Sequence, residues 1–207
     1  MKISVSILKS NYSEEETINR INETDATYLH LDVMDGKFVK GITPKREHLD
    51  KSNKKIQVHL MVSNPFSYIG EYSYSQVDTF IIQAELDEDI KALLKYIKDA
   101  NYKCGLALKP ETEVYKILDY IDLVDYVLVL TVNPGAGGQE MMMDTLYKIN
   151  TLKKIRNEKN LSYEIIVDGG VNDKTIEYVK DADIVVSGSY VCSCENFQNQ
   201  IDNLMKK

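Results

Sequence analysis

The sequence is short of cysteine, histidine and long apolar runs. Its 207 residues include three cysteines, and neither this odd number nor the spacing of Cys104, Cys192 and Cys194 suits a disulfide framework, zinc cluster or redox motif. We therefore expect reduced thiols and a cytoplasmic protein. No apolar stretch approaches the roughly 18 to 20 residues of a membrane span. A strand pattern follows Met1 directly, which predicts no signal peptide.

Blocks of basic charge are also missing. The formal net charge is −7, and the longest basic runs are the pairs Lys54-Lys55 and Lys153-Lys154. This balance argues against nucleic acid or an anionic membrane as partner. The sequence has no Pro-rich or Ser-rich linker, so we predict a single catalytic domain over residues 1–207.

Strand-like and helix-like patterns alternate through the whole chain. The predicted strands cover residues 2–8, 28–34, 55–62, 79–85, 103–109, 126–132, 163–169 and 183–189. The predicted helices cover residues 13–23, 65–73, 88–100, 112–121, 140–157, 173–180 and 195–206, with a short helical turn in 45–52. Eight such units predict an α/β fold of the (β/α)8 TIM-barrel type, with a doubly wound open sheet as the alternative.

Two of the three histidines stand inside predicted strands, close to aspartates. His30 and Asp32 share the polar face of 28–34, His59 lies on the polar face of 55–62, and Asp168 nearly ends 163–169. Because the outer face of a barrel strand must be apolar, these side chains should point inward near the carboxyl ends, where barrel enzymes place their chemistry. They predict a site for one divalent cation (Zn, Fe(II), Mn or Co) and two carboxylates placed for proton transfer. The alternative is that each histidine is an ordinary core residue.

Three glycine elements follow consecutive predicted strands. They are the segment 131–139, Asp168-Gly169-Gly170 and Ser187-Gly188-Ser189. Glycines let backbone N–H groups approach an oxyanion closely, and the loops after strands seven and eight are the usual phosphate site of such barrels. The elements therefore predict a phosphate site, although each alone would also suit a tight turn.

Taken together, these segments resemble the ribulose-phosphate 3-epimerase family over nearly the whole chain. The resemblance is carried by residues 6–8, 30–36, 58–62, 131–135, 137–139, 167–170 and 188–189. It implies a (β/α)8 barrel that interconverts D-ribulose 5-phosphate and D-xylulose 5-phosphate in the pentose phosphate pathway. It also implies a homo-oligomer, either a dimer or a hexamer.

The resemblance also implies residue roles. His30, Asp32, His59 and Asp168 would bind one divalent metal, and Asp32 and Asp168 would be the catalytic acid/base pair that inverts C3 through an enediolate. The small-molecule sugar phosphate would be bound by residues from several parts of the chain. These residues are Ser6, Met34, His59, Met61, Gly135, Ala136, Gly137, Gly138, Gly169, Gly170, Gly188 and Ser189.

The chain departs from the family pattern in the walls of the pocket. Ala136 stands where an aromatic residue is usual, Leu130 replaces a methionine, and the residues around Gln83 and those of 38–44 also differ. Three alternatives therefore stay open. They are a 3-epimerase of another ketose phosphate such as D-allulose 6-phosphate, a non-catalytic phosphate-binding barrel, and a lyase. The lyases of this barrel group carry an Asp-x-Lys pattern on strand three, which 58–61 lacks.

Overall fold

The computed structural model describes residues 1–206, and a closed barrel of eight parallel strands paired in chain order lies at its centre. The strands are β1 (Lys2–Ser6), β2 (Tyr28–Met34), β3 (Lys55–Met61), β4 (Val77–Gln83), β5 (Lys103–Leu108), β6 (Tyr126–Leu130), β7 (Glu164–Asp168) and β8 (Ile184–Ser187). The predicted barrel is confirmed, and the open sheet is excluded because β1 pairs with both β2 and β8.

Six α-helices accompany the barrel in the described part of the chain. They are α1 (Glu14–Asn22), α2 (Pro65–Glu71), α3 (Ile90–Asp99), α4 (Tyr147–Glu158), α5 (Ser189–Cys192) and α6 (Phe197–Met205). Polar caps fix three of the starts, because the side chains of Ser13, Asp89 and Asn196 accept from Glu16 N, Ala92 N and Asn199 N respectively. The predicted apolar face of α3 is buried, with Leu93 and Ile97 inaccessible to solvent. Among the described residues no helix has the length and hydropathy that crossing a bilayer requires.

Two predicted helices were wrong in type. Residues 112–121 and 173–180 contain only the 3₁₀ segments Val114–Ile117 and Ile176–Val179. In the second case the side chain of Asn172 accepts from Lys174 N and Thr175 N, which is the contact of a helix cap, but only a 3₁₀ segment follows. In the first, buried Val114 and Ile117 lie three residues apart, a spacing that suits a 3₁₀ turn as well as an α-helix.

Several predicted boundaries were also wrong. Helix α4 begins at Tyr147 instead of residue 140, because Met142 N donates to Thr131 O at 2.7 Å and so keeps this segment in the loop after β6. Most strands end one or two residues early, where the chain turns into loops at the barrel mouth. Helix α5 was not predicted, whereas the turn in 45–52 is confirmed as the 3₁₀ segment Leu49–Lys51.

Apolar side chains fill much of the barrel interior and close it at the amino-terminal end of the strands, where Tyr28 and Tyr126 lie. These two belong to a buried cluster that also includes Ile81, Ala107, Leu128, Leu130, Ile166, Ile184 and Val186. Ion pairs surround this end, with Lys2 Nζ 2.7 Å from Glu164 Oε1 and Lys55 Nζ 2.9 Å from Asp78 Oδ1. The opposite end carries the polar residues of β2, β3 and β7.

Candidate active site

His30, Asp32, His59 and Asp168 meet inside the carboxyl-terminal end of the barrel. Asp32 lies opposite His59 in the β2–β3 register, and each of the four side chains offers a ligand atom within 4.8 Å of the others. His30 Nε2 lies 3.5 Å from Asp32 Oδ1 and 3.7 Å from Asp168 Oδ2. The structure thus brings together the residues predicted as metal ligands.

The environment of His30 fits a divalent cation. Its side chain is inaccessible to solvent, and neither ring nitrogen has a hydrogen-bond partner among residues 1–206. An unsatisfied buried polar group costs about 1–3 kcal/mol, whereas a cation held by Nε2 would use its lone pair. Two imidazole nitrogens and two carboxylate oxygens suit Zn, Fe(II), Mn or Co.

Neighbouring groups hold both oxygens of Asp32. The Ser6 hydroxyl donates to Oδ2 at 2.7 Å, and Oδ1 lies 3.1 Å from His59 Nδ1. Burial opposes ionisation of Asp32, but the charges and hydrogen bonds of His30 and His59 outweigh it and hold its pKa well below the usual range. Asp32 is therefore a carboxylate over the whole physiological range.

Asp168 has the opposite electrostatic environment. Burial and the negative charge of Asp32 raise its pKa to about 6, against smaller opposing contributions from His30 and His59. The two carboxyl groups therefore differ strongly in proton affinity although they share one cluster. This difference is the pattern expected of an acid/base pair.

A cavity of about 460 Å³ opens above the cluster to solvent. Its walls include most of the residues predicted to bind substrate, namely Ser6, His59, Met61, Gly135, Ala136, Gly137, Gly138, Gly169, Gly170, Gly188 and Ser189. Asp32 and Asp168 face it as well. Of the predicted contacts, Met34 does not line this cavity. It packs instead under the loop after β2, where a Cβ at Gly41 would lie 2.6 Å from Met34 Sδ.

The glycine loops in the cavity wall include one position, Gly170, that requires glycine. Gly170 has φ +66°, and a Cβ there would lie 2.6 Å from Met141 N, so a side chain would clash with backbone. The Gln139 amide donates to Asn133 O at 2.7 Å and to Ala136 O at 2.8 Å, which fixes the loop after β6. Such loops can present backbone N–H groups to an anion.

Lys9 is a candidate phosphate contact that the sequence reasoning missed. Its side chain lies along the loop after β6: a Cβ added to Gly138 would lie 2.8 Å from Lys9 Nζ. Lys9 also lines the cavity. The sequence offered one signal for this role. Lys9 lies three residues past the carboxyl end of β1, and barrel enzymes place functional residues in the loops at that end of the strands.

Comparison with known proteins identifies the family. The sequence profile of the Ribulose-phosphate 3 epimerase family matches residues 2–192. The chain belongs to the ribulose-phosphate 3-epimerase family. It is 35% identical over 194 residues to the ribulose-phosphate 3-epimerase of Treponema pallidum, covering 90% of this chain and 89% of that protein. It is 34% identical over 199 residues to that of Bacillus subtilis, covering 92% of each. As a member of this family, the chain is an isomerase of the epimerase type.

Two solved structures with similar folds are more distant in sequence than these two epimerases. The 3-hexulose-6-phosphate synthase of Salmonella typhimurium superposes with a TM-score of 0.72 at 14% identity, covering 100% of this chain and 97% of that one. The KGPDC of Streptococcus mutans gives a TM-score of 0.71 at 13% identity, covering 99% of this chain and 95% of that one. At this identity the likeness supports the barrel fold alone.

Proposed function

We propose that this epimerase interconverts D-ribulose 5-phosphate and D-xylulose 5-phosphate by inverting C3, and so serves the pentose phosphate pathway. One observation carries the proposal: two carboxyl groups with oppositely shifted pKa values, Asp32 and Asp168, face one cavity whose wall contains three glycine loops. Inversion beside a ketone needs a proton acceptor on one face of the carbon and a proton donor on the other.

In the proposed reaction the two carboxyl groups exchange protonation states. Asp32, as the carboxylate, removes the C3 proton, while protonated Asp168 delivers its proton to the opposite face of C3. The C3–H bond broken on one face is replaced by one on the other, so the sugar exchanges one proton and its composition is unchanged. The reverse direction begins with Asp168 ionised, and its pKa of about 6 makes both of its states accessible near neutrality.

His30, Asp32, His59 and Asp168 would hold one divalent cation, either Zn, Fe(II), Mn or Co. When bound, such a cation supplies Lewis acidity that stabilises negative charge on the substrate oxygen next to the reacting carbon. Ser6 keeps Oδ2 of Asp32 hydrogen-bonded and orients the carboxylate toward the cavity. Met61, buried on the same inward face, would exclude water from the intermediate without donating a proton.

The phosphate group would be bound away from the reacting carbon. Backbone amides around Gly137, Gly138, Gly170 and Ser189 would hold it, together with the ammonium group of Lys9. Binding energy at this remote group can fix the position of C3 between the carboxyl groups.

The test is exchange with deuterated water, followed by ¹H NMR on the sugar. D-Ribulose 5-phosphate should acquire deuterium at C3 and yield D-xylulose 5-phosphate, and D-allulose 6-phosphate should react much more slowly. Deuterium incorporation into D-allulose 6-phosphate alone would show that the protein is the 3-epimerase of that sugar phosphate. Deuterium incorporation into neither sugar would favour a non-catalytic phosphate-binding barrel.

The hexulose phosphate is kept as a second candidate because of one wall residue. Ala136 brings only a methyl group to the cavity, which leaves room for a longer sugar. A cytoplasmic location and assembly into a homo-oligomer stay predictions from the sequence and its family resemblance.

A further inference from the structure

Gln83 lies directly behind the candidate metal ligand His59. It ends β4, is inaccessible to solvent, and places its Nε2 2.6 Å from His59 Nε2. Its other amide atom, Oε1, is buried without a hydrogen-bond partner in the described chain. On the far side of the ring, His59 Nδ1 is 3.1 Å from Asp32 Oδ1. The imidazole is therefore held between an amide and a carboxylate.

With the amide in this orientation, the two contacts fit one tautomer of the neutral ring. A neutral imidazole carries a single N–H, with a lone pair on the other nitrogen. Nδ1–H can donate to Asp32, and the Gln83 NH₂ group can then donate to the lone pair on Nε2. Each contact is satisfied in this arrangement, but the proton on Nδ1 occupies the side that faces Asp32 and Asp168.

A cation held by His59 Nδ1 requires the other tautomer. Nδ1 must then offer its lone pair, so the proton moves to Nε2, where it would oppose the Gln83 NH₂ group at 2.6 Å. The only amide atom that can accept this proton is Oε1, the atom that has no partner among the described residues. Rotation of the amide by half a turn about its last bond exchanges O and NH₂ with almost no change of shape.

We propose that Gln83 is a positioning residue that fixes the metal-binding tautomer of His59, its amide turning so that Oε1 accepts from Nε2–H when a cation is bound. The inference rests on the proposed metal site. An amide suits both states of the site, because it can donate to the ring in one and accept from it in the other, whereas a carboxylate can only accept.

A second buried glutamine neighbours the other histidine ligand, without a hydrogen bond between the two side chains. Gln57 lies opposite His30 in the β2–β3 register and is inaccessible to solvent. The Ser4 hydroxyl donates to Gln57 Oε1 at 2.9 Å, and within residues 1–206 Gln57 Nε2 and His30 Nδ1 are left without partners. The same half-turn would let Oε1 accept from His30 Nδ1–H while Nε2 donates to the Ser4 oxygen. His30 Nε2 would then be free for the cation.

The decisive experiment reads the tautomer directly. Protein labelled with ¹⁵N-histidine is examined by long-range ¹H–¹⁵N NMR with and without one equivalent of Zn²⁺, which is diamagnetic. We expect His59 to carry its proton on Nδ1 in the metal-free protein and on Nε2 in the zinc-bound protein. A zinc-bound protein in which His59 keeps its proton on Nδ1 would overturn the inference.

Calorimetric measurement of zinc affinity in two variants distinguishes a hydrogen-bonding role of Gln83 from a packing role. Gln83→Met keeps the volume but lacks the acceptor, and we expect zinc to bind about 10–100-fold more weakly. Gln83→Glu supplies an obligatory acceptor and should bind zinc at least as tightly as the unaltered protein. Wild-type affinity in Gln83→Met, or equal losses in both variants, would show that Gln83 only fills space.

The outcomes also distinguish this inference from the proposed function. The histidine tautomer and the zinc affinity are both measured without sugar phosphate and without turnover. Unaltered protein that binds no Zn²⁺ would overturn the metal site and the role of Gln83 together. Zinc binding with the expected tautomer, in a protein that leaves C3 unexchanged, would contradict only the proposed reaction.

Discussion

Burial beside the ionised carboxylate of Asp32 raises the pKa of the Asp168 carboxyl group to about 6. Two acids in one cluster thereby differ strongly in proton affinity: near pH 6 Asp168 is about half protonated, whereas Asp32 is ionised.

Asp168→Asn should abolish epimerisation and leave the barrel folded. The amide neither accepts nor returns the C3 proton, so we expect turnover to fall by at least about 100-fold, the scale of a lost general acid or base. The measurement is the rate of C3 deuterium incorporation, with circular dichroism as the check on folding. Asp181→Asn, an exposed residue paired with Lys153, is the matched control and should leave turnover unchanged. Wild-type-like turnover in Asp168→Asn would rule out the acid/base assignment.

Removal of divalent cations should inactivate the protein and lower its thermal stability. Chelation would leave His30 with two unpaired nitrogens, and a ligand that binds only the folded state stabilises it according to its concentration and affinity. We expect activity and melting temperature to recover when Zn, Mn, Fe(II) or Co is added back. Full activity after exhaustive chelation, with metal content verified by mass spectrometry, would contradict the metal site.

Lys9→Met should weaken phosphate binding without disturbing the acid/base pair. Lys9 Nζ lies beside Gly138, so loss of its charge should raise KM for the sugar phosphate by about tenfold, equal to about 1.4 kcal/mol, while kcat changes little. Competitive inhibition by inorganic phosphate should weaken in parallel. Lys159→Met, just beyond the carboxyl end of α4, is the control. An unchanged KM in Lys9→Met would show that backbone amides alone hold the phosphate.

Asp35→Asn should reveal a stabilising interaction that depends on pH. Burial opposes ionisation of Asp35, but the N–H and hydroxyl of Ser63 and the N–H groups of Phe38 and Lys37 lower its pKa to about 2. Because the unfolded pKa is about 3.9, the contribution is fully present above about pH 5 and is lost as the pH falls through the folded pKa of about 2. We expect the variant to be about 1 kcal/mol less stable at pH 7, a typical value for one hydrogen bond, with a clearly smaller difference at pH 2, where about half of the folded molecules already carry a protonated Asp35. Urea denaturation at the two pH values measures this. A difference at pH 2 as large as that at pH 7 would mean that the carboxylate charge is not its source, and Asp87→Asn, an exposed substitution, serves as control.

The candidate metal ligands were predictable from the sequence because strands impose strict alternation. Once Leu29, Leu31 and Val33 are assigned to the outer face of β2, His30 and Asp32 must point inward, and the same argument applies to His59. Eight strand–helix units then bring these strands into one barrel. The glycine loops were predictable for a similar reason, since each follows a strand at the mouth.

Other features depend on rotamers and loop paths that the sequence pattern does not reveal. The position of Lys9 depends on how the loop after β6 folds back across the mouth, and the position of Met34 depends on the close approach of Gly41. The partnership of Gln83 with His59 joins side chains on neighbouring strands, and which amide atom faces the ring is decided by hydrogen bonding alone. The spacing of Val114 and Ile117 likewise suits both kinds of helix.

Because the barrel is closed at the amino-terminal end of its strands, substrate and product have a single route into and out of the site. Tyr28 and Tyr126 fill the interior below the candidate ligands, so both epimers must enter and leave by the same mouth. Product therefore competes with substrate for the empty site, and each should inhibit the other in proportion to its concentration. In the proposed reaction, the proton left on Asp32 after each turnover must return to water by that same opening, so a slowly departing product would delay the resetting of the site as well as its own release.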